Sequence, residues 1–132
     1  MSERITDDEM MRARAGLVVQ PLPEPNDLPS AHDLVTYDLR NQLLADGLQK
    51  EVSVELQLIY MESMVAFARL CKRLGRNPRE VIAARKSFGM EKYGTPLQPF
   101  NGRDQLEDSL DEKADDLVYL RMAIYEEEHG GE

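Results

Sequence analysis

Apolar residues recur every three or four positions along most of the chain, and this spacing constrains the fold more than any other feature. In the stretch Val52–Leu74 the recurring residues include Val54, Leu58, Met61 and Val65, which lie near one face of an α-helix. A second set at the same spacing lies on another face, beginning with Leu56 and Ile59. We therefore predict a long helix here that is buried on several sides.

Prolines and glycines mark where helices start and stop. Asn77-Pro78 is typical of a helix start, with an Asn cap and a proline in the first turn. Gly75 and Gly94 are placed like helix ends. The loop Thr95–Gly102 contains two prolines and an Asn-Gly pair, so neither neighbouring helix can extend through it.

The same pattern continues on both sides of these segments. It predicts a helix from Ser30 that is interrupted at Asp46-Gly47, and a last helix from about Asp104 to Glu127. Because no segment alternates like a strand, we predict an all-α fold: a helical bundle of about four main helices.

The first 31 residues differ from the rest. Pro21, Pro23, Pro25 and Pro29 favour an extended arm, either flexible or lying across a second subunit. A short helix ahead of Gly16 is also predicted, because residues 6–9 match a capping box. We therefore predict an arm at residues 1–31, a bundle at 32–128 and a tail at 129–132.

Charge and cysteine content narrow the class of protein. The net charge of −9 repels polyanions, so nucleic acid is not expected as a partner. A nucleotide remains compatible if a divalent cation binds with it. The single Cys71 fits packing in a reducing compartment. With no apolar run long enough for a membrane span or a signal peptide, a cytoplasmic location is expected.

Carboxylates form a stripe on the last helix. Asp108, Glu112 and Asp115 stand at positions i, i+4 and i+7, so their side chains project from one face. Like charges this close repel unless a cation lies among them, and Mg²⁺ prefers such hard oxygen ligands together with phosphates. A metal-bound water is then a suitable nucleophile toward phosphorus. The alternative is that these acids only offset the helix dipole on a solvated face.

A second candidate carboxylate is Glu62, which stands between Met61 and the apolar-rich run 63–67. A carboxylate in apolar surroundings needs a partner to remain ionised. That partner is either a metal ion shared with the stripe or a basic residue such as Arg69, Arg85 or Lys86. Both interpretations stay open at this point.

The run Glu91–Asp104, with its Lys-Tyr-Gly and Asn-Gly-Arg-Asp, followed by residues 108–120, resembles phage-type MazG-like proteins of the all-α nucleoside triphosphate pyrophosphohydrolase superfamily. The resemblance covers about residues 80–127. It implies a helical bundle that binds Mg²⁺, or Mn²⁺, through acid pairs on two helices. Glu112-Lys-Ala-Asp115 matches the second of these pairs.

The first acid pair of the family, Glu-Glu-x-x-Glu, does not occur in this chain. Glu62 or Glu91 are the candidates to complete the metal site in its place. Loop residues flank the stripe and are predicted to bind substrate, with Arg103 suited to a phosphate oxygen. These residues are Lys92, Tyr93, Asn101 and Arg103. Tyr93 and Phe100 either stack on a base or plug the loop against the core.

Two functional hypotheses follow. The first is an Mg²⁺-dependent nucleoside triphosphate pyrophosphohydrolase of the cytoplasm (the host cytoplasm if the protein is phage-encoded), with Glu112, Asp115 and Glu62 as catalytic residues and Asp108 and Glu91 as further metal ligands. The second is a non-catalytic relative that binds a nucleotide or a protein partner through the same bundle, which the missing acid pair favours. The resemblance also implies a homo-oligomer, a dimer or larger.

Overall fold

The observed secondary structure is helical. A computed structural model of the chain describes residues 19–41 and 51–130. Within these ranges there are four helices and no strand: α1 (Ala31–Asn41), α2 (Val54–Leu74), α3 (Pro78–Tyr93) and α4 (Gln105–His129). The all-α prediction is confirmed for this part of the chain. The helix predicted ahead of Gly16 and the break at Asp46-Gly47 lie outside the described residues.

The helix ends follow the predicted signals. The Asn77 side chain accepts hydrogen bonds from the backbone N–H groups of Arg79 at 2.9 Å and Glu80 at 3.3 Å, which satisfies donors that the first turn leaves free. Gly75 and Gly94 end α2 and α3 with φ angles of 66° and 73°. These left-handed conformations favour glycine.

The chain divides into two compact units. One unit is Pro23–Asn101, which contains α1, α2 and α3. The other combines Met1–Leu22 with Gly102–Glu132, and so contains α4 together with the residues around Gln20. The predicted bundle limits, at residues 32 and 128, stay a prediction.

In the first unit, α3 packs against both α1 and α2. Cys71 is buried and is a free thiol, as its packing role predicts. The other apolar residues of α2 are less covered than predicted: Val54, Leu58 and Val65 all keep 44% or more of their surface exposed. The expected burial of α2 on several sides is therefore not observed within the described part of the chain.

Two side-chain amides join the proline-rich segment to the loop after α3. The buried Gln98 donates hydrogen bonds from its amide nitrogen to the backbone carbonyls of Asn26 and Leu28, both at 2.7 Å, and accepts one from the Asn26 N–H at 3.1 Å. Asn26 in turn donates to the carbonyl of Pro99 at 2.7 Å. Since prolines have no N–H to donate, these amide side chains add to the two backbone hydrogen bonds that also hold this segment, from Glu24 to Asn101 at 2.9 Å and from Ala31 to Leu97 at 2.7 Å.

Charged and polar side chains connect the helices of the first unit. Lys86 of α3 forms a salt bridge with Asp33 of α1 at 3.0 Å, and the hydrogen bond from this ammonium lowers the pKa of Asp33. Burial lowers the pKa of His32, and nearby Lys86 lowers it further. The Tyr60 hydroxyl of α2 donates to Asp38 at 2.6 Å, and burial together with this carboxylate raises the pKa of Tyr60 well above its usual value.

Candidate functional site

The candidate site begins at the N-terminus of α4. Asp104 caps the helix, since its carboxylate accepts hydrogen bonds from the N–H groups of Leu106 at 3.0 Å and Glu107 at 3.2 Å. Glu107 and Asp108 are acidic residues of the first turn, where negative charge is favourable toward the helix dipole. Of the three acids in the predicted stripe, Asp108 alone lies in this turn, where the alternative role of offsetting the helix dipole applies.

The side chain of Gln20, 84 positions before Asp104 in the sequence, also binds the start of α4. The buried Gln20 binds both backbone polar groups of Asp104: its amide oxygen accepts from the Asp104 N–H, and its amide nitrogen donates to the Asp104 carbonyl at 3.1 Å. The same nitrogen donates to the Asp108 carboxylate at 2.8 Å. Gln20 was not predicted as part of any site.

Arg103 completes this arrangement around Asp108. Its Nε donates to Asp108 Oδ2 at 2.9 Å and its Nη2 to Asp108 Oδ1 at 2.8 Å, a two-point pairing that fixes both side chains. Its Nη1 donates to the carbonyl of Pro21 at 2.6 Å. Both carboxylate oxygens of Asp108 are thus engaged, and a metal ion or a phosphate at these residues would have to displace existing bonds.

One and two turns further along α4, Glu112 and Asp115 are arranged differently. Both side chains are exposed, and neither forms a hydrogen bond or an ion pair with another residue in the described ranges. They stand three positions apart and so project from the same side of the helix. Two hard oxygen donors suit an Mg²⁺ ion that keeps several of its waters.

The full ligand set is not assembled by the described residues. No group of three or more His, Cys, Asp or Glu side chains among them is placed to hold one metal ion. Glu62 and Glu91 belong to the unit that contains α2 and α3, and both are exposed. The burial of Glu62 among apolar residues that the sequence predicts is therefore not observed in the described part of the chain.

Two of the three basic partners proposed for Glu62 have other contacts. Lys86 pairs with Asp33, and the Arg85 guanidinium lies 4.6 Å from the centre of the Phe88 ring.

The predicted substrate-binding residues differ in accessibility. Lys92 is exposed, with its ammonium 5.3 Å from the centre of the half-buried Tyr93 ring. The Asn101 residue is only 1% exposed, and its carbonyl accepts a hydrogen bond from the Glu24 N–H at 2.9 Å. Arg103 is held by Asp108. In this structure Lys92 is therefore the more accessible of the predicted polar groups.

Phe100 departs from the expected packing. It is 89% exposed and has a φ angle of 56°, a left-handed conformation that is strained for a residue with a bulky side chain. The idea that Phe100 plugs the loop against the core is therefore wrong. The carbonyls of Pro99 and Phe100 both accept hydrogen bonds from Asn26, which holds this backbone in place.

Comparison of the chain with protein-family models, with curated proteins and with solved structures finds no match. The resemblance to MazG-like proteins therefore stays a prediction that rests on the quoted residues.

Proposed function

We propose that this chain is an Mg²⁺-dependent nucleoside triphosphate pyrophosphohydrolase that releases a nucleoside monophosphate and pyrophosphate. The observation that carries this proposal is the pair Glu112 and Asp115, two exposed carboxylates on one side of α4 with no partner in the described ranges. Like charges at this spacing destabilise a helix slightly unless a cation binds between them. The pair also belongs to the Glu-Lys-Ala-Asp sequence that resembles the family's second acid pair.

In this proposal Glu112 and Asp115 would hold the metal ion. The ion, when bound, supplies charge neutralisation at the phosphates and lowers the pKa of a coordinated water. One of these two carboxylates would accept the proton of the attacking water as its oxygen bonds to the α-phosphorus and the bond from that phosphorus to the leaving pyrophosphate breaks.

The test measures pyrophosphate release from each ribo- and deoxynucleoside triphosphate in the presence of Mg²⁺ or Mn²⁺. Glu112→Gln and Asp115→Asn should lower kcat by at least about a hundredfold, the usual contribution of such a group. Glu126→Gln is the matched control, because Glu126 is an exposed glutamate of the same helix. Absence of pyrophosphate from every nucleotide, or equal rates in wild type and Glu112→Gln, would refute the proposal.

A second candidate function is binding of a nucleotide or a protein without turnover. The commitment of Asp108 to Arg103 and Gln20 favours it, because this removes one carboxylate of the predicted metal site. Titration calorimetry with a nucleoside triphosphate and Mg²⁺ separates the candidates. Binding without pyrophosphate release supports this second function, whereas release at a measurable rate rejects it.

A homo-oligomer is also proposed as the working state of the protein. Many large apolar side chains of the described residues remain exposed, and surfaces of this kind mark interaction sites on folded proteins.

A further inference from the structure

Basic residues are concentrated where α2 ends and α3 begins. Residues 69–92 hold eight of the sixteen Lys and Arg residues of the chain but only two of its twenty-five acids, Glu80 and Glu91. Five of these eight cations flank the turn between the two helices, and all five are exposed. We call them the basic corner: Arg69, Lys72, Arg73, Arg76 and Arg79.

Local geometry brings these five cations to one end of the helix pair. The three cations of α2 stand at positions i, i+3 and i+4, so their side chains project from one side of the helix. Arg76 lies in the three-residue turn between α2 and α3, and Arg79 is the second residue of α3. All five belong to the unit that is built from residues 23–101.

Helix stability accounts for only part of the basic corner. Lys72 and Arg73 lie in the last turn of α2, where cations offset the helix dipole. Arg79 lies in the first turn of α3, where a cation is unfavourable toward the dipole. Apart from Arg73, the members of the corner form no ion pair with another described residue. The repulsion among these cations would therefore be offset by an anionic partner.

The shape of the basic corner selects the kind of anion. Residues 72–77 are all exposed, so the turn protrudes, whereas peptides are mostly bound in a groove or along a strand edge. A protruding helix end can instead lie against a nucleic-acid duplex and contact its phosphates. Four of the five cations are arginines, whose forked guanidinium group binds phosphate oxygens at two points.

We propose that the basic corner binds the phosphate backbone of a nucleic acid. The net charge of −9 argues against such a partner, but the charge is unevenly distributed, and eleven of the acids stand in residues 104–132. Exposed charges are largely screened beyond a Debye length, about 8 Å at physiological ionic strength. A local cluster of cations can therefore attract phosphates although the whole chain is negative.

This inference does not depend on the proposed enzymatic function, because Glu112 and Asp115 belong to the other unit. The first test is fluorescence anisotropy of a short labelled DNA duplex that is titrated with the full chain. Wild type should bind with a dissociation constant of about 1 to 100 μM at roughly 50 mM salt, the range of binding through phosphates alone. Four phosphate contacts predict a slope of about −3.6 for the logarithm of the association constant against that of the salt concentration. Absence of binding, or an affinity that salt does not change, would overturn the proposal.

A charge-matched pair of double variants locates the binding surface. Arg76→Gln with Arg79→Gln should weaken binding about a hundredfold, because each lost phosphate contact costs about tenfold at roughly 50 mM salt. The control is Arg40→Gln with Arg121→Gln, which changes two exposed arginines outside the corner. Both double variants alter the net charge equally, so the control should keep its affinity within about threefold. An equal loss in the two would show that binding follows the total charge, and the proposal would then be wrong.

Two competitors separate a nucleic acid from other polyanions. Polyglutamate stands for an acidic protein segment, and vesicles that contain phosphatidylglycerol stand for an anionic membrane surface. At equal total charge, both should displace the labelled duplex less than an unlabelled duplex does. If either displaces it equally well, the corner does not distinguish a nucleic acid from that class of partner, and the proposal fails.

Chemical modification keeps the proposal falsifiable if the double variant at the corner does not fold. Lysine acetylation of the wild-type chain, measured by mass spectrometry, reports which ammonium groups are accessible. An excess of duplex should protect Lys72, whereas the exposed Lys113 of α4 should stay reactive. Equal modification of Lys72 with and without the duplex, or equal protection of both lysines, would contradict binding at the basic corner.

Discussion

Replacement of Gln98 tests how the proline-rich segment is held. Gln98 is 7% exposed, and its amide forms three hydrogen bonds, one with the Asn26 N–H and two with the carbonyls of Asn26 and Leu28. Each bond contributes about 1 kcal/mol net. Against this, alanine avoids the entropy cost of ordering the glutamine side chain, which we take as about 1 kcal/mol. Gln98→Ala should therefore lower the free energy of unfolding by about 2 kcal/mol.

A second variant at the same position makes the test directional. Gln98→Glu keeps the acceptor for the Asn26 N–H but directs negative oxygen at two carbonyls that now lie 2.7 Å from the amide nitrogen. The folded state should therefore favour the protonated carboxyl and raise its pKa above the ordinary value of about 4.3. Because the pKa of this carboxyl is higher in the folded than in the unfolded state, its contribution to stability is complete below the unfolded pKa. That contribution is lost as the pH rises through the folded pKa.

Urea unfolding at pH 4 and pH 7, followed by circular dichroism, measures both variants against wild type at the same pH. A loss of about 2 kcal/mol corresponds to a midpoint shift of roughly 1 M urea. Gln98→Glu should be closer to wild type at pH 4 than at pH 7. A cost below about 0.5 kcal/mol for Gln98→Ala, or an equal deficit of Gln98→Glu at both pH values, would refute the reasoning.

Two further predictions concern Tyr60 and Phe100. Tyr60→Phe removes the 2.6 Å hydrogen bond to Asp38 and should cost about 1 to 2 kcal/mol at pH 7. Because the pKa of Tyr60 is raised in the folded state, this stabilisation is complete below about pH 10 and declines above it. In urea unfolding, the difference in free energy of unfolding between wild type and Tyr60→Phe should therefore be smaller at pH 11 than at pH 7. A larger difference at pH 11 would contradict the hydrogen bond from Tyr60 to Asp38. Phe100→Gly should stabilise the chain by up to about 1 kcal/mol, because it removes a left-handed strain of about 1 to 2 kcal/mol against a glycine entropy cost of about 0.5 to 1 kcal/mol. A lower melting temperature of Phe100→Gly would count against the strain.

Local signals predicted the helices well. The Asn77 cap and the stops at Gly75 and Gly94 depend on backbone geometry within a few residues, so the sequence pattern is sufficient to locate them. The cap at Asp104 belongs to the same class. Such features need no knowledge of tertiary structure.

Long-range polar contacts were not predictable from the sequence. Gln20 and Asp104 are 84 positions apart, and Asn26 and Gln98 are 72 positions apart. A glutamine side chain is uncharged and belongs to no repeating hydrophobic pattern. The sequence therefore does not indicate which residue it will bind. The exposure of Glu62 was predicted wrongly for a related reason, because neighbours in sequence lie on different faces of a helix.

The pairing of Gln20 with the start of α4 has a consequence for synthesis of the protein. Residues 23–101 form a unit from one continuous stretch, whereas the other unit joins residues from before and after it. During translation Gln20 is made before Asp104, and the two can pair only after Asp104 has left the ribosome. At roughly 5 to 20 residues per second, this is several seconds later. A tag or a proteolytic cut close to Gln20 therefore acts on a helix whose start lies 84 positions further along the sequence.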